Sequence, residues 1–179
     1  MGLGYAGPPS QLLSIRPGSG GVTDTLKLMA QIAKQYKADP VIRQTAARIV
    51  SSAPEKDDLA EAGTLQNWVR TNIRYTGDVL DVETLQTPDY TLQEGYGDCD
   101  DQAILLATLL MAVGIPAAYC AVGVDNEPFS HVMAFAGLRG YNPPYVSLET
   151  TLTTDPQTGA PIGPGWFPAN VTCHRFFHI

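Results

Sequence analysis

Three residue types that together can perform nucleophilic catalysis follow one another along the chain as Cys99, His131 and Glu149. A cysteine sulfur can attack an amide carbonyl, a histidine can take and return the proton, and a carboxylate can fix the orientation of the imidazole ring. The remaining histidines, His174 and His178, lie near the C-terminal end of the sequence. The pattern therefore predicts a Cys-His-Glu catalytic triad that works through a thioester intermediate.

The surroundings of Cys99 bear directly on its reactivity. It stands at the start of residues 98–113, which are apolar on nearly every side after the first turn and so predict a buried helix. Free N–H groups and the positive end of the helix dipole favour the thiolate there. Asp98, Asp100 and Asp101 oppose this effect because nearby carboxylates raise the pKa of a thiol, so we expect an imidazolium to be needed.

The same three aspartates could instead hold a metal ion, with the neighbouring cysteine or a histidine as a further ligand. Adjacent carboxylates at a helix start more often cap the helix and interact with its dipole. We therefore predict neither a metal ion nor a cofactor at this site.

Two parts of the predicted site stay open. The backbone N–H of Cys99 is one donor for an oxyanion, and Gln93 or Tyr96 is within reach along the chain as the second. For the acidic residue, Glu149 leaves the end of a predicted strand, whereas Asp155 follows two threonines into a Pro-Gly turn. We prefer Glu149, and Asp155 remains its competitor.

The strings GYGDCDDQAILLATLLMAVGIPA, SHVMA and VSLETT resemble the transglutaminase-like cysteine peptidase superfamily over roughly residues 65–151. The resemblance implies a papain-like α+β core with the cysteine at a helix N-terminus, the histidine on a following strand and an acidic residue on the next. Cys99, His131 and Glu149 occupy those positions, although many members have aspartate in a pattern such as LDPTT. Phage-encoded members carry the same GDCDD string, which implies a phage or prophage origin.

This resemblance implies a cysteine-dependent hydrolase or acyltransferase that acts on peptide or amide bonds. Water as the acceptor would make a peptidase or an amidase, and a lysine amine would make a transglutaminase-like enzyme. The expected partner is then a peptide or protein substrate.

Other elements must position these residues. Apolar residues at helical spacing predict three helices, capped by Thr23 or Asp24, by Asp39 before a proline, and by Asp58 with Glu61 in a capping box. Residues 77–97 are predicted to be a long loop. Residues 117–124, 131–136 and 145–148 are short β-prone runs, so we expect three antiparallel strands packed on the buried helix.

Glycines and prolines at both ends of the chain predict a three-part organisation. We expect an extended arm over residues 1–22, a transglutaminase-like domain over residues 23–160 and an aromatic tail over residues 161–179. Partner subunits could bind the arm and the tail. An alternative function is therefore a structural or adaptor protein of a phage particle that reuses the fold.

Composition excludes several classes of protein. The formal charge is −7 and no basic cluster interrupts it, which argues against nucleic acid and anionic membranes as partners. The longest apolar run, residues 103–113, is too short to span a bilayer, and no cleavable signal peptide is predicted at the N-terminus. We expect a cytoplasmic or virion-associated protein. Of its three cysteines, at least one must be free, and Cys120 and Cys173 are expected to be small buried apolar residues.

Overall fold

A computed structural model describes residues 10–12, 19–77, 84–123, 129–168 and 171–179 of the chain. Its helices are α1 (Ser19–Tyr36), α2 (Pro40–Val50), α3 (Asp58–Asn72), α4 (Pro88–Glu94) and α5 (Cys99–Ala112). Its strands are β1 (Ser10–Leu12), β2 (Arg74–Tyr75), β3 (Thr84–Gln86), β4 (Tyr96–Gly97), β5 (Ala117–Gly123), β6 (His131–Gly137), β7 (Tyr145–Leu148) and β8 (Thr172–His178).

Helix α5 is the centre of the fold. Every residue from Asp101 to Leu110 is buried, and α5 contacts helices α1 to α4 on one side and strands β5 and β6 on the other. A helix that is apolar around its whole circumference must be covered on all sides. The prediction of an α+β fold with a central buried helix on a small antiparallel sheet is therefore confirmed. Among the helices of the described segments, none has the length and apolar character needed to cross a membrane.

The main sheet has four antiparallel strands in the order β7-β6-β5-β8. Side chains alternate between its faces, as the pleat of a strand requires. Tyr119, Val132 and Ala134 belong to the core that surrounds α5, whereas Cys120 and Met133 belong to a second cluster on the opposite face.

The fourth strand differs from the expected C-terminal tail. Thr172–His178 form β8 and pair with the central strand β5, so this segment completes the sheet. Phe177 packs against the main core, while Phe176 contacts Phe135 and Tyr145 on the opposite face. Phe176 and Phe177, two of the aromatic residues that suggested a tail, thus lie on opposite faces of a strand.

Two of the predicted helix starts need correction. Helix α1 begins at Ser19 and includes two glycines, several residues before the predicted caps. The side chain of Asp57, and not that of Asp58, accepts a hydrogen bond from the backbone of Ala60 and caps α3. The third predicted cap is found in the structure, since Asp39 accepts from the backbone N–H groups that follow Pro40.

The predicted loop over residues 77–97 contains three short elements instead. Strand β3 pairs with β1 of the N-terminal segment, and β4 pairs in parallel with β2. Between them lies α4, which begins at Pro88. Its C-cap is Gly95, whose φ of 70° is the left-handed conformation that terminates helices. These elements lead the chain directly to the start of α5.

Candidate active site

The N-terminus of α5 is held by a reciprocal pair of aspartates. Asp98 is the N-cap and its carboxylate accepts from the backbone N–H of Asp101 at 3.0 Å. The Asp101 carboxylate accepts in return from the backbone N–H of Asp98 at 3.3 Å and from that of Gln86 in β3 at 2.7 Å. This capping box fixes the first turn of α5, and with it Cys99, against the neighbouring strand.

Gly97 is required by the same packing. A Cβ atom at this position would lie 2.6 Å from the Cβ of Asp101 and 3.1 Å from its Oδ2. Real Cβ contacts are not this short, so only glycine lets the chain pass so close to the capping carboxylate. The sequence Gly-Asp-Cys-Asp-Asp is therefore explained by helix capping at its first, second and fifth positions.

Cys99 occupies the first helical position, where its own N–H has no acceptor within the helix. Its thiol is free and half-buried, and it donates to Oδ1 of Asp100 across 3.5 Å. The backbone N–H of Val132, the residue after His131 in β6, lowers the pKa of this thiol. Helix α5 thus presents the thiol to the beginning of the strand that carries His131.

The electrostatics of the thiol differ from the expectation based on the helix dipole. Burial raises the pKa of Cys99 far above its usual range, and the charges of Asp100 and Asp98 raise it further. The hydrogen bond from Val132 acts in the opposite direction but is outweighed. Position at a helix N-terminus therefore does not by itself produce a thiolate in this protein.

His131 and Glu149 are brought together by neighbouring strands. Nε2 of His131 lies 2.8 Å from Oε2 of Glu149, which follows the last residue of β7. The other oxygen, Oε1, accepts from the backbone N–H of Thr151 at 2.6 Å and from its hydroxyl at 2.7 Å. Burial alone would raise the pKa of Glu149, but His131 and Thr151 together hold it below its usual value.

This arrangement leaves Nδ1 as the ring nitrogen of His131 that Glu149 does not use. The side chain of His131 is 20% exposed and that of Glu149 only 2%, so the carboxylate stands behind the ring, away from solvent. Glu149 can therefore fix the ring while the other nitrogen serves as a base.

Helix α3 supplies residues that the sequence did not single out. The amide of the buried Gln66 donates to the backbone carbonyl of Glu149 at 2.9 Å. One turn further on, Arg70 donates to the carbonyl of Ile162 at 2.9 Å and reaches that of Leu152 at 3.4 Å. Gln66 thus anchors the backbone of the acidic residue itself, and Arg70 anchors the chain that follows it. A polar residue on the apolar stripe of α3, as at Gln66, was the only signal available for this role.

The competing aspartate has a different partner. Asp155 accepts from the indole N–H of Trp166 at 2.7 Å and from the backbone N–H groups of Gln157 and Thr158. The Trp166 indole and these turn amides hold the pKa of Asp155 below its usual value. Asp155 therefore stabilises a turn, and the carboxylate beside His131 is that of Glu149.

The two residues named for an oxyanion hole lie on the segment before α5. Gln93 is exposed on α4, and its amide donates to the carboxylate of Glu94 at 3.3 Å. Tyr96 is half-buried in β4, and its side chain raises the pKa of Tyr90. Both assignments stay predictions.

The remaining cysteine and metal hypotheses have separate outcomes. Cys120 is buried, as expected, and it is also disulfide-bonded. The side chain of Cys173 lies outside the described part of the structure. The described residues contain no group of three or more His, Cys, Asp or Glu side chains that could hold a metal ion.

A family match agrees with this arrangement of helix and strands. Residues 43–151 match the Transglutaminase-like superfamily, and this span is more than half of the chain. The protein therefore belongs to the transglutaminase-like superfamily, as its sequence motifs indicated. No curated protein sequence matches the chain.

Solved structures with a similar fold include two named as candidate proteases. The candidate cysteine protease of Cytophaga hutchinsonii is 19% identical with a TM-score of 0.54, over 94% of this chain and 59% of its own. The candidate protease of Parabacteroides distasonis is 17% identical with a TM-score of 0.52, over 70% of this chain and 26% of its own. This chain thus matches only about a quarter of the latter and less than two thirds of the former.

A third similar structure is LapG of Legionella pneumophila, in its EGTA-treated form. It is 16% identical with a TM-score of 0.50, and the alignment covers 78% of each chain. At these identities the likeness establishes the fold alone.

Proposed function

We propose that the protein is a cysteine-dependent hydrolase or acyltransferase that acts on peptide or amide bonds, with Cys99, His131 and Glu149 as its triad. The observation that carries the proposal is the 2.8 Å contact between Nε2 of the His131 ring and Oε2 of the buried Glu149, on a strand that packs against the helix carrying Cys99. Nucleophile, base and orienting carboxylate then stand in the order that thiol catalysis requires.

In the first step the sulfur attacks the carbonyl carbon while Nδ1 of His131 takes the thiol proton. The carbonyl electron pair moves to oxygen, and the N–H of Cys99 at the first position of α5 donates to that oxyanion. We assign the second donor to Gln93 or Tyr96.

Collapse of the tetrahedral intermediate breaks the C–N bond, and His131 returns the proton to the leaving amine. The acyl group remains on sulfur as a thioester. Water or an amine then attacks the thioester, gives its proton to His131, and releases an acid or a new amide as the proton returns to sulfur. The same residues serve both acceptors, so the triad by itself does not decide between hydrolysis and transamidation.

The adaptor alternative depends on free segments at both ends of the chain. Residues 172–178 form β8 inside the main sheet, so they are committed to the fold. This removes one of the two features that favoured an adaptor.

A pair of assays tests the proposal. Purified protein is incubated with a fluorescein-labelled unfolded protein, to detect hydrolysis, and with the same substrate plus a dansyl-labelled primary amine, to detect transamidation. We expect activity in at least one assay, and its loss in Cys99→Ala and in His131→Ala while both variants keep the wild-type circular dichroism spectrum. Turnover that persists in Cys99→Ala, or inactivity of the wild-type protein toward both acceptors, contradicts the proposal.

A further inference from the structure

Glu149 lies just outside the sheet that carries His131. The pairing of β6 with β7 ends at Ala134 and Leu148, so Glu149 is the first residue beyond the ladder. Thr151 holds one oxygen of its carboxylate and His131 contacts the other, and these contacts fix the side chain. The backbone from which that side chain extends requires a support of its own.

Gln66 of α3 provides this support from 83 positions away in the sequence. Its Nε2 donates to the backbone carbonyl of Glu149 at 2.9 Å, and Gln66 is only 1% exposed. The other residues on the buried face of α3 are Ala62, Leu65 and Val69, all apolar. A buried amide among such residues is unfavourable unless it forms a hydrogen bond. The contact with Glu149 therefore explains why a glutamine occupies an otherwise apolar helix face.

The same contact closes a ring of packed elements around the candidate triad. Helix α3 packs against α5, which carries Cys99, and α5 packs against β6, which carries His131. The His131 ring contacts the Glu149 carboxylate, and the Glu149 carbonyl is joined back to α3 by Gln66. Gln66 is thus the link between the strand that carries the acidic residue and the helical layer that carries the nucleophile.

We propose that Gln66 is a positioning residue of the triad, which holds Glu149 so that its carboxylate accepts from Nε2–H of His131 and Nδ1 remains available as the base. The inference rests on the proposed function for the role of Nδ1. In a neutral imidazole, the nitrogen that donates a hydrogen bond keeps the proton, and the other nitrogen can accept one. If Glu149 were displaced, the ring would populate both tautomers, and the fraction able to take the thiol proton would fall.

Nitrogen-15 NMR of the histidine rings tests the inference without any substrate. The chain has three histidines, and His131→Ala identifies the signals of His131. At a pH at which the imidazole is neutral, we expect the wild-type His131 ring to be almost entirely the Nε2–H tautomer. Gln66→Met keeps the length of the side chain but removes the donor. In this variant both ring nitrogens should shift toward the average of a tautomeric mixture, while the signals of His174 and His178 stay unchanged.

Kinetics of the assay described above give a second readout. Gln66→Met should lower kcat about ten- to a hundredfold, because a small misplacement of a catalytic group can cost about 10²-fold in rate. KM should stay within about twofold, since the buried Gln66 reaches no substrate. Gln66→Asn keeps the amide but is one methylene too short for the 2.9 Å contact, so it should give the same result if methionine disturbs the packing.

A matched control separates positioning from a general loss of stability. Ile42→Ala creates a cavity at the buried face of α2 and should lower the free energy of unfolding. It should nevertheless leave the His131 signals and kcat at their wild-type values, because Ile42 belongs to the apolar core and forms no part of the Gln66 to Glu149 link.

Wild-type His131 signals in folded Gln66→Met and Gln66→Asn would overturn the inference, as would the same tautomeric mixing in Ile42→Ala. The NMR signals report on the contact between His131 and Glu149 even if the protein turns over neither substrate, so failure of the proposed function leaves this test intact. Conversely, an active enzyme whose kcat is unchanged in both Gln66 variants refutes the positioning role alone.

Discussion

The helix side and the strand side of the candidate site differ in how they treat negative charge. On the strand side, both oxygens of the buried Glu149 accept hydrogen bonds, and the pKa of this carboxyl is held below its usual value. On the helix side, Asp98 and Asp100 raise the pKa of the Cys99 thiol, which burial has already raised. The strand side stabilises the negative charge of Glu149, whereas the helix side opposes the formation of a negative charge on the Cys99 sulfur.

This difference favours transfer of the thiol proton of Cys99 toward His131. A histidine beside an ionised carboxylate is a better proton acceptor, whereas a thiol beside carboxylates is a poorer donor. In the proposed mechanism, the strand side and the oxyanion donors at the helix end together overcome the barrier to thiolate formation. Changes on the strand side should therefore alter turnover, whereas changes on the helix side should alter stability and the titration of the thiol.

The largest effect is expected on the strand side. Replacement of Glu149 by Gln removes the charge that stabilises the imidazolium and offers Nε2 of His131 an amide in place of a carboxylate. We expect turnover to fall about 10²- to 10⁴-fold, the range that a correctly placed acid-base group contributes. Initial rates of the assay described above measure this loss.

The control for this variant is Glu55→Gln, which removes an exposed carboxylate from the connection between α2 and α3. It should match wild type in rate. A Glu149→Gln protein that is folded and loses less than about fivefold would contradict the orienting role of the carboxylate.

The second effect is on the helix side, where packing rather than charge is changed. Gly97→Ala places a Cβ 2.6 Å from the Cβ of Asp101, which cannot move away while its carboxylate holds Gln86. Overpacking of this kind costs about 1 to 3 kcal/mol, and we expect a loss of that size in the free energy of unfolding. Denaturant titration measures it.

Gly77→Ala is the matched control, because a Cβ there has no neighbour within 4 Å. Its free energy of unfolding should equal or slightly exceed that of wild type. Equal stabilities for the two alanine variants would disprove the close packing at Gly97.

Most of the elements that position the site were predictable from local pattern. The apolar circumference of α5 predicted its buried position, and short β-prone runs predicted β5, β6 and β7 with bounds close to those observed. Asp39 before Pro40 marked a helix start because its cap and its first-turn residue are adjacent in sequence. In each case the residues that determine the helix or strand lie within one short stretch of sequence.

The features that were not predicted depend on distant partners. Strand β8 needs β5 as a neighbour, and its alternating aromatics have no meaning until that neighbour is known. Helix α4 is only seven residues long, so its Pro88 and Gly95 signals were outweighed by polar composition. Gly63, which weakens α3 locally, lies where a Cβ would approach Pro164 to 3.0 Å, a contact a hundred residues away in sequence that no helical propensity encodes.

At the site itself, the sequence predicted that neighbouring aspartates raise the pKa of the thiol, and Asp100 and Asp98 do so in the structure. The position at a helix start did not predict how deeply the sulfur is buried, which is the larger cause, or how close Asp100 lies. Both quantities require coordinates. The division of the three aspartates into two caps and one thiol contact has the same origin.

The smallest effect is expected for the acidic residue that competes with Glu149 in the sequence. Asp155→Asn weakens the acceptor of the Trp166 indole and of a turn, but it leaves the His131 and Glu149 pair untouched. Substitutions at such positions usually have small effects, so turnover should stay within about twofold of wild type. The melting temperature of this variant should decrease modestly. Tryptophan fluorescence can measure this decrease, because Asp155 contacts the indole of Trp166. If Asp155→Asn instead abolished turnover while Glu149→Gln did not, the acidic member of the triad would have to be reassigned. Glu149 would then no longer be the charge that distinguishes the strand side of the site from the helix side.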